Sequence, residues 1–202
     1  MGLRQVGFGV AVIGGLAISA LLSGAAMAAD GKKLFDEKGC VACHGEDAKT
    51  SAVEGYPRLA GQRPPYALAQ MKDIKGGVRK SEALEAMLPF IEQVNDEEMN
   101  AIAEYVGSLP IGKDEGDPSA DGKKLYMTKT CIACHGKDGN KPIQAYPRLI
   151  GQEPNYLLAQ MKAIKTGERA NGNSQAMKAV MHLVNDDEMK KITEYLSRTA
   201  TQ

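Results

Sequence analysis

Five residues, Cys40-Val41-Ala42-Cys43-His44, return as Cys131-Ile132-Ala133-Cys134-His135. The two copies use all four cysteines of the 202-residue chain and two of its three histidines. Thiols at i and i+3 with an imidazole at i+4 share one face of a helical turn. That donor set suits three chemistries: a redox dithiol, a metal site, or a covalently attached haem.

Thioredoxin-like dithiols belong to a βαβ context, and no strand–helix alternation runs through this chain. A structural zinc site needs four ligands. Cys40, Cys43 and His44 supply three, and the first half has no second histidine. Disulfides would explain cysteines in an exported chain but not the histidine after each pair. Haem attachment uses every element: two thiols form thioethers and the adjacent imidazole faces the iron. His44 and His135 are then proximal ligands of two c-type haems, attached through Cys40, Cys43, Cys131 and Cys134.

The rest of the chain is also written twice. "DGKKLF" at 30–35 matches "DGKKLY" at 121–126, and "YPRLAGQ" at 56–62 matches "YPRLIGQ" at 146–152. "VNDEEMNAIAEYV" at 94–106 matches "VNDDEMKKITEYL" at 184–196. The offset is 91 through the cysteine motif and 90 afterwards, so the first copy carries one extra residue between His44 and Tyr56. This is a tandem duplication, with units at 29–108 and 121–202 and a Pro-, Gly- and charge-rich linker at 109–120.

Each unit reads as three helices with little strand signal. The first opens at Asp30. The second starts at the prolines Pro64-Pro65 and stops at Gly76-Gly77. The third starts at Asn95, with Glu98 completing a capping box and Met99, Ile102, Ala103 and Val106 on one face. The long stretches between them read as irregular, and irregular chain is costly to order unless it wraps something.

The sixth ligand decides whether an iron only transfers electrons. No second histidine recurs between the units, so methionine is the alternative. Three pairs are repeat-equivalent: Met71/Met161, Met87/Met177 and Met99/Met189. Methionine at helical spacing is ordinarily core filling, which suits the first and third pairs. Met87 and Met177 fall in the irregular stretch, where the sequence around them diverges and the sulfur is retained. They are the candidate axial ligands, with Met181 as a weaker competitor in the second unit. His182 has Glu92 as its counterpart and reads as a helix-flanking residue. Arg58/Arg148, Gln62/Gln152 and Tyr66/Tyr156 also recur; they suit haem-propionate partners or contacts between the units, and equally well ordinary surface and cap chemistry.

These motifs resemble the cytochrome c4 family of diheme periplasmic electron carriers, over essentially all of 30–197. The resemblance implies an all-α fold of two tandem class I cytochrome c domains, each wrapped around one haem. It places the ligand methionine seven residues before Val94 and Val184, on Met87 and Met177. It also implies that the carbonyls of Pro57 and Pro147 accept a hydrogen bond from the proximal imidazoles. The first unit lacks the "DGN" that follows the second motif at Asp138-Gly139-Asn140, so the two haem environments differ.

Residues 1–28 read as a signal peptide: Arg4, an apolar run to Leu22, and Ala26-Met27-Ala28 before the cut. The competing reading is an uncleaved anchor, but the run is short for a span of about 20 residues. Its removal leaves 24 basic against 25 acidic residues, a balance that gives nucleic-acid binding no support. With Trp absent and aromatics at 5%, a base-stacking platform is equally unsupported.

The expected function is therefore periplasmic electron transfer in a respiratory chain, without catalysis by this chain. Redox proteins act as donor and acceptor, among them membrane oxidase or reductase complexes. The alternative is a diheme subunit of a larger oxidoreductase, oxidising sulfide or thiosulfate on a partner chain such as a flavoprotein dehydrogenase. A diheme peroxidase would need one iron without its sixth ligand, which the recurrence of Met87 as Met177 opposes.

Overall fold

The computed structural model describes residues 1–2, 30–143 and 146–199. The signal-peptide reading lies outside the described residues. Among the described residues every regular element is a helix, and none is long and apolar enough to cross a membrane.

In the first half, α1 spans 30–37, followed by α2 (Val41–His44), α3 (Pro64–Lys75), α4 (Glu82–Glu85), α5 (Leu88–Ile91) and α6 (Asp96–Ser108). The second half has α7 (Ala120–Thr128), α8 (Ile132–His135), α9 (Pro154–Thr166), α10 (Ser174–Met181) and α11 (Asp186–Arg198). The three expected helices per unit are present. Each motif adds a one-turn helix, α2 or α8, and the stretch expected to be irregular is partly helical.

Local chemistry sets the boundaries. Pro64 and Pro154 stand in the first turns of α3 and α9, where a missing N–H costs nothing. Asn95 and Asn185 cap α6 and α11 with both halves of a capping box in place. Each such cap stabilises its helix by about 1 kcal/mol. Pro89 explains why the first half has α4 and α5 where the second has the single α10. Inside a continuous helix it would remove one hydrogen bond and clash with the carbonyl four residues back. Its counterpart is Ala179, which does neither.

Each half has its own core. Phe35, Ile74, Ile91, Val94, Met99 and Ile102 form the first; Tyr126, Leu157, Met181, Val184, Met189 and Ile192 are at the heart of the second. The terminal helices of each unit cross very closely. A β-carbon on Gly31 would press into the Ala101 carbonyl of α6, and one on Gly122 into the Lys191 carbonyl of α11. Phe35 and Tyr105, and likewise Tyr126 and Tyr195, then pack with tilted rings, their centroids 5.7 and 5.8 Å apart.

Candidate functional site

The motif folds alike in both halves. Cys40 and Cys131 take the N-cap position, with φ near −60°. The His44 and His135 amides each donate to the carbonyl of the first cysteine at 3.0 Å. One turn of helix therefore puts both thiols and the imidazole on one wall. No disulfide joins any of the four cysteines, which leaves all four available for thioether bonds. Burial pushes the Cys40 and Cys131 thiols up to about 11. Among the described residues no three His, Cys, Asp or Glu side chains converge as a bare-metal site.

Both histidines are almost wholly buried, and burial lowers their basicity. A neutral imidazole has one donor nitrogen and one acceptor. Nδ1 of His44 lies 2.9 Å from the Pro57 carbonyl, and Nδ1 of His135 lies 3.1 Å from that of Pro147. A carbonyl only accepts, so each Nδ1 carries the proton and donates, leaving the Nε2 lone pair free. Tyr56 and Tyr146 meet these rings edge-on at 6.4 and 5.9 Å.

The imidazoles and thiols face a cavity of about 640 Å³ with predominantly apolar walls, continuous across the two halves. Met87, Met177, Met71 and Met161 all line it. Met99 and Met189 do not; they are fully buried core residues, as their helical spacing suggested. Met87 stands at the N-cap of α5, between two short helices. Met177 lies inside α10, not in an irregular stretch, because nothing in "SQAMKAVM" breaks a helix there. Met181 also reaches the cavity, but it is 1% exposed and is counterpart to the buried Ile91. That position is a core position in both halves. His182 is exposed at the end of α10.

Arg58, Gln62, Arg148 and Gln152 join the two halves through a pseudo-twofold exchange. The Arg58 amide donates to Gln152 Oε1 at 2.7 Å, and Gln152 Nε2 donates to the Arg58 carbonyl at 2.9 Å. Arg148 and Gln62 repeat this at 2.9 and 3.0 Å. Arg58 also bonds the Gly151 carbonyl and pairs with Asp114 of the linker, while Arg148 reaches the Gly61 carbonyl. The linker is thus packed between the domains, with Ile111 against the second core.

A second crossed pair has no place among the sequence expectations. Arg79 bonds Tyr156 and Gln160 of the other half, and Arg169 bonds Tyr66 and Gln70. Tyr66 and Tyr156 therefore also serve the contact between units. The available signal was the recurrence of Arg79 as Arg169 at the 90-residue offset, just past the last closely matched glycine.

This donor set fits a haem in each half. Two thiols and an imidazole share one turn, the imidazole is buried with Nε2 making no hydrogen bond among the described residues, and an apolar cavity adjoins them. The comparisons agree. The Cytochrome c family model matches residues 28–110 and again 119–200. A thiosulfate dehydrogenase electron acceptor from Stutzerimonas stutzeri (strain A1501) is 33% identical over 88% of this chain and 89% of its own. A cytochrome c4 from Azotobacter vinelandii is 32% identical over 78% of this chain and 82% of its own. In the crystal structure of reduced recombinant cytochrome c4 from Pseudomonas stutzeri the fold recurs with TM-score 0.73 at 27% identity, over 84% of this chain and 97% of that one. The thiosulfate dehydrogenase (TsdBA) of Marichromatium purpuratum matches with TM-score 0.71 at 27% identity, over 84% of this chain and 40% of that one. The chain belongs to the cytochrome c family: it is a diheme, cytochrome c4-like electron carrier of two tandem cytochrome c domains, each with a covalently bound haem c.

Proposed function

We propose that Cys40 and Cys43 hold one haem in a domain at 29–108, and Cys131 and Cys134 the other in a domain at 121–202, with 109–120 as linker. His44 and His135 would each offer Nε2 to one iron, and Met87 and Met177 would each offer a thioether sulfur to the same iron. The observation that carries this reading is the repeat of one arrangement: a buried imidazole, oriented by a proline carbonyl, sharing an apolar cavity with two thiols and a repeat-equivalent methionine.

When bound, each haem supplies a one-electron Fe(II)/Fe(III) couple, which thioether ligation holds at raised potential. The chain's part is positioning. Pro57 and Pro147 fix the tautomer and ring plane, so Nε2 is the nitrogen available to the iron. Tyr56 and Tyr146 meet the rings edge-on, and burial disfavours the charged form of both imidazoles. Two sites held across one interface let electrons pass between domains before leaving for a partner. Nothing in this arrangement calls for a substrate-binding iron, which supports a carrier without catalysis of its own, working in the periplasm after loss of residues 1–28.

The named relatives favour one partner class. A thiosulfate dehydrogenase electron acceptor and a thiosulfate dehydrogenase both match this chain, so acceptance of electrons from such an enzyme is the second reading. Co-purification from the native host separates a free carrier from a subunit.

Optical spectra of the ferric holoprotein test the ligands. Methionine–iron(III) bonding gives a long-wavelength band. Met87→Ala and Met177→Ala should each remove about half of it, one site of two. Met71→Ala and Met161→Ala should leave it intact; loss of the band there would overturn the assignment.

A further inference from the structure

The crossed pairs bind the domains symmetrically: Arg58 with Gln152 mirrors Arg148 with Gln62, and Arg79 with Gln160 mirrors Arg169 with Gln70. A buried contact breaks that pattern. Asn171 of the second half, 4% exposed, donates from Nδ2 to Asp73 Oδ2 of α3 at 2.6 Å. Both residues line the shared cavity. At the 90-residue offset Asn171 stands opposite Ser81, and Asp73 opposite Ala163. Alanine offers no acceptor, so the same bond cannot form in reverse.

Asn171 is also the anchor of α10. Its carbonyl accepts from the Ser174 amide at 3.1 Å and from the Ser174 hydroxyl at 2.6 Å. Ser174 opens α10, and Met177 closes the first turn of that helix. Asn173, at the N-cap, makes no side-chain cap bond, so the turn 171–174 carries the fixing of the helix start. In the first half Leu84 N–H meets the Ser81 carbonyl at 3.0 Å, but leucine has no hydroxyl to add a second bond.

Three side chains hold the Asn171 amide. Arg169 Nε donates to its Oδ1 at 3.3 Å, and its Nδ2 reaches Gln70 Oε1 at 3.2 Å as well as Asp73. Asp73 is the nearest of the three and the only carboxylate, and hydrogen bonds to a carboxylate are the strong ones. Removing it leaves a buried amide short of its best acceptor, a loss that loosens the group rather than the fold around it.

We propose that Asp73 is a positioning residue acting across the domain boundary: through Asn171 and Ser174 it fixes the first turn of α10, and with it the Met177 sulfur. The proposal rests on Met177 as an axial ligand, as inferred above. Ligation in the second domain then depends on the docked first domain. Ligation by Met87 has no such dependence through this contact, because Ala163 stands where an acid would be needed.

The test uses the ferric, full-length holoprotein and imidazole, which takes the sixth position only while the thioether is away, so its binding rate reports local opening. Stopped-flow mixing resolves one phase per site, and the phase altered in Met177→Ala belongs to the second domain. Asp73→Ala, which copies Ala163 and so suits the helix, should speed that phase about 10-fold and leave the other within about twofold. Asp73→Asn keeps an oxygen acceptor and should stay within about threefold of the parent. Asn171→Ala should match Asp73→Ala, and the double variant should be no faster than either single one. Glu54→Ala removes another acid–asparagine bond between the domains, to Asn155 at 2.7 Å, and should leave both phases unchanged. An unchanged second phase in Asp73→Ala, equal speeding of both phases, or the same speeding by Glu54→Ala would overturn the proposal. The ferric long-wavelength band reports the ligand reading separately: if Met177→Ala leaves it whole, that reading falls and the proposal with it.

Discussion

The two domains solve the same problem with different turns. Where the first motif is preceded by Gly39, the second has Thr130 with φ 64°, a conformation β-branched residues rarely adopt. In the first half Phe90 packs so near Gly39 that a β-carbon would lie 2.9 Å from its ring. The counterpart of Phe90 is the smaller Val180, which leaves room for Thr130. After the motif the exchange reverses: Ala48, fully buried, holds φ 55° where the second half has Gly139 at φ 79°. Phe35 becomes Tyr126, whose hydroxyl donates to the Gly136 carbonyl at 2.7 Å, and burial pushes its ionisation upward. The helix crossing, the capping boxes and the imidazole–carbonyl bonds are common to both. Duplication has kept what positions the donors and varied what merely closes the turns around them.

That contrast can be broken most forcefully at the shared crossing. Gly31→Ala and Gly122→Ala each drive a β-carbon into facing helix backbone, and each should cost about 3 kcal/mol. Thermal unfolding of the holoprotein should show similar losses, each in its own domain; clearly unequal losses would mean that the crossings are not equivalent. The divergent turn predicts inequality. Gly139→Ala combines about 1–2 kcal/mol of left-handed strain with contacts at 2.9 Å to Leu196 and 3.2 Å to Leu149. Its total should be about 2 kcal/mol. Ala48→Gly relieves the same strain but loses a buried methyl of about 0.8 kcal/mol and gains unfolded-state freedom. It should stay within about 1 kcal/mol of the parent in denaturant titrations. A similarly small effect belongs to Tyr126→Phe, which leaves the Gly136 carbonyl with only the Gly139 amide as donor and should cost about 1 kcal/mol.

Much of the site is legible in the amino-acid sequence because its information is local. Cysteine spacing and the adjacent histidine are fixed within one helical turn, and capping boxes and N-terminal prolines mark helix ends from a few neighbouring residues. Repetition adds what one copy cannot: it separates Met87/Met177 from unpaired methionines such as Met181, whose place in the core the burial of both Met181 and its counterpart Ile91 then decides. The expectation of irregular chain around Met177 fails because Pro89 of the first half does not stand for both halves. One residue, Ala179 in place of proline, restores a continuous helix.

By itself, then, the sequence determined the duplication, the two donor turns, the capped and proline-started helix ends and the charge carried by each half. The tertiary structure decided how those pieces meet. It placed Arg58 and Arg148 on each other's glutamines, crossed Arg79 and Arg169 between the domains, and joined both donor sets to one cavity. Those contacts link residues some 80 to 100 positions apart. Their geometry follows from how two separately folded cores pack, and no local pattern encodes it.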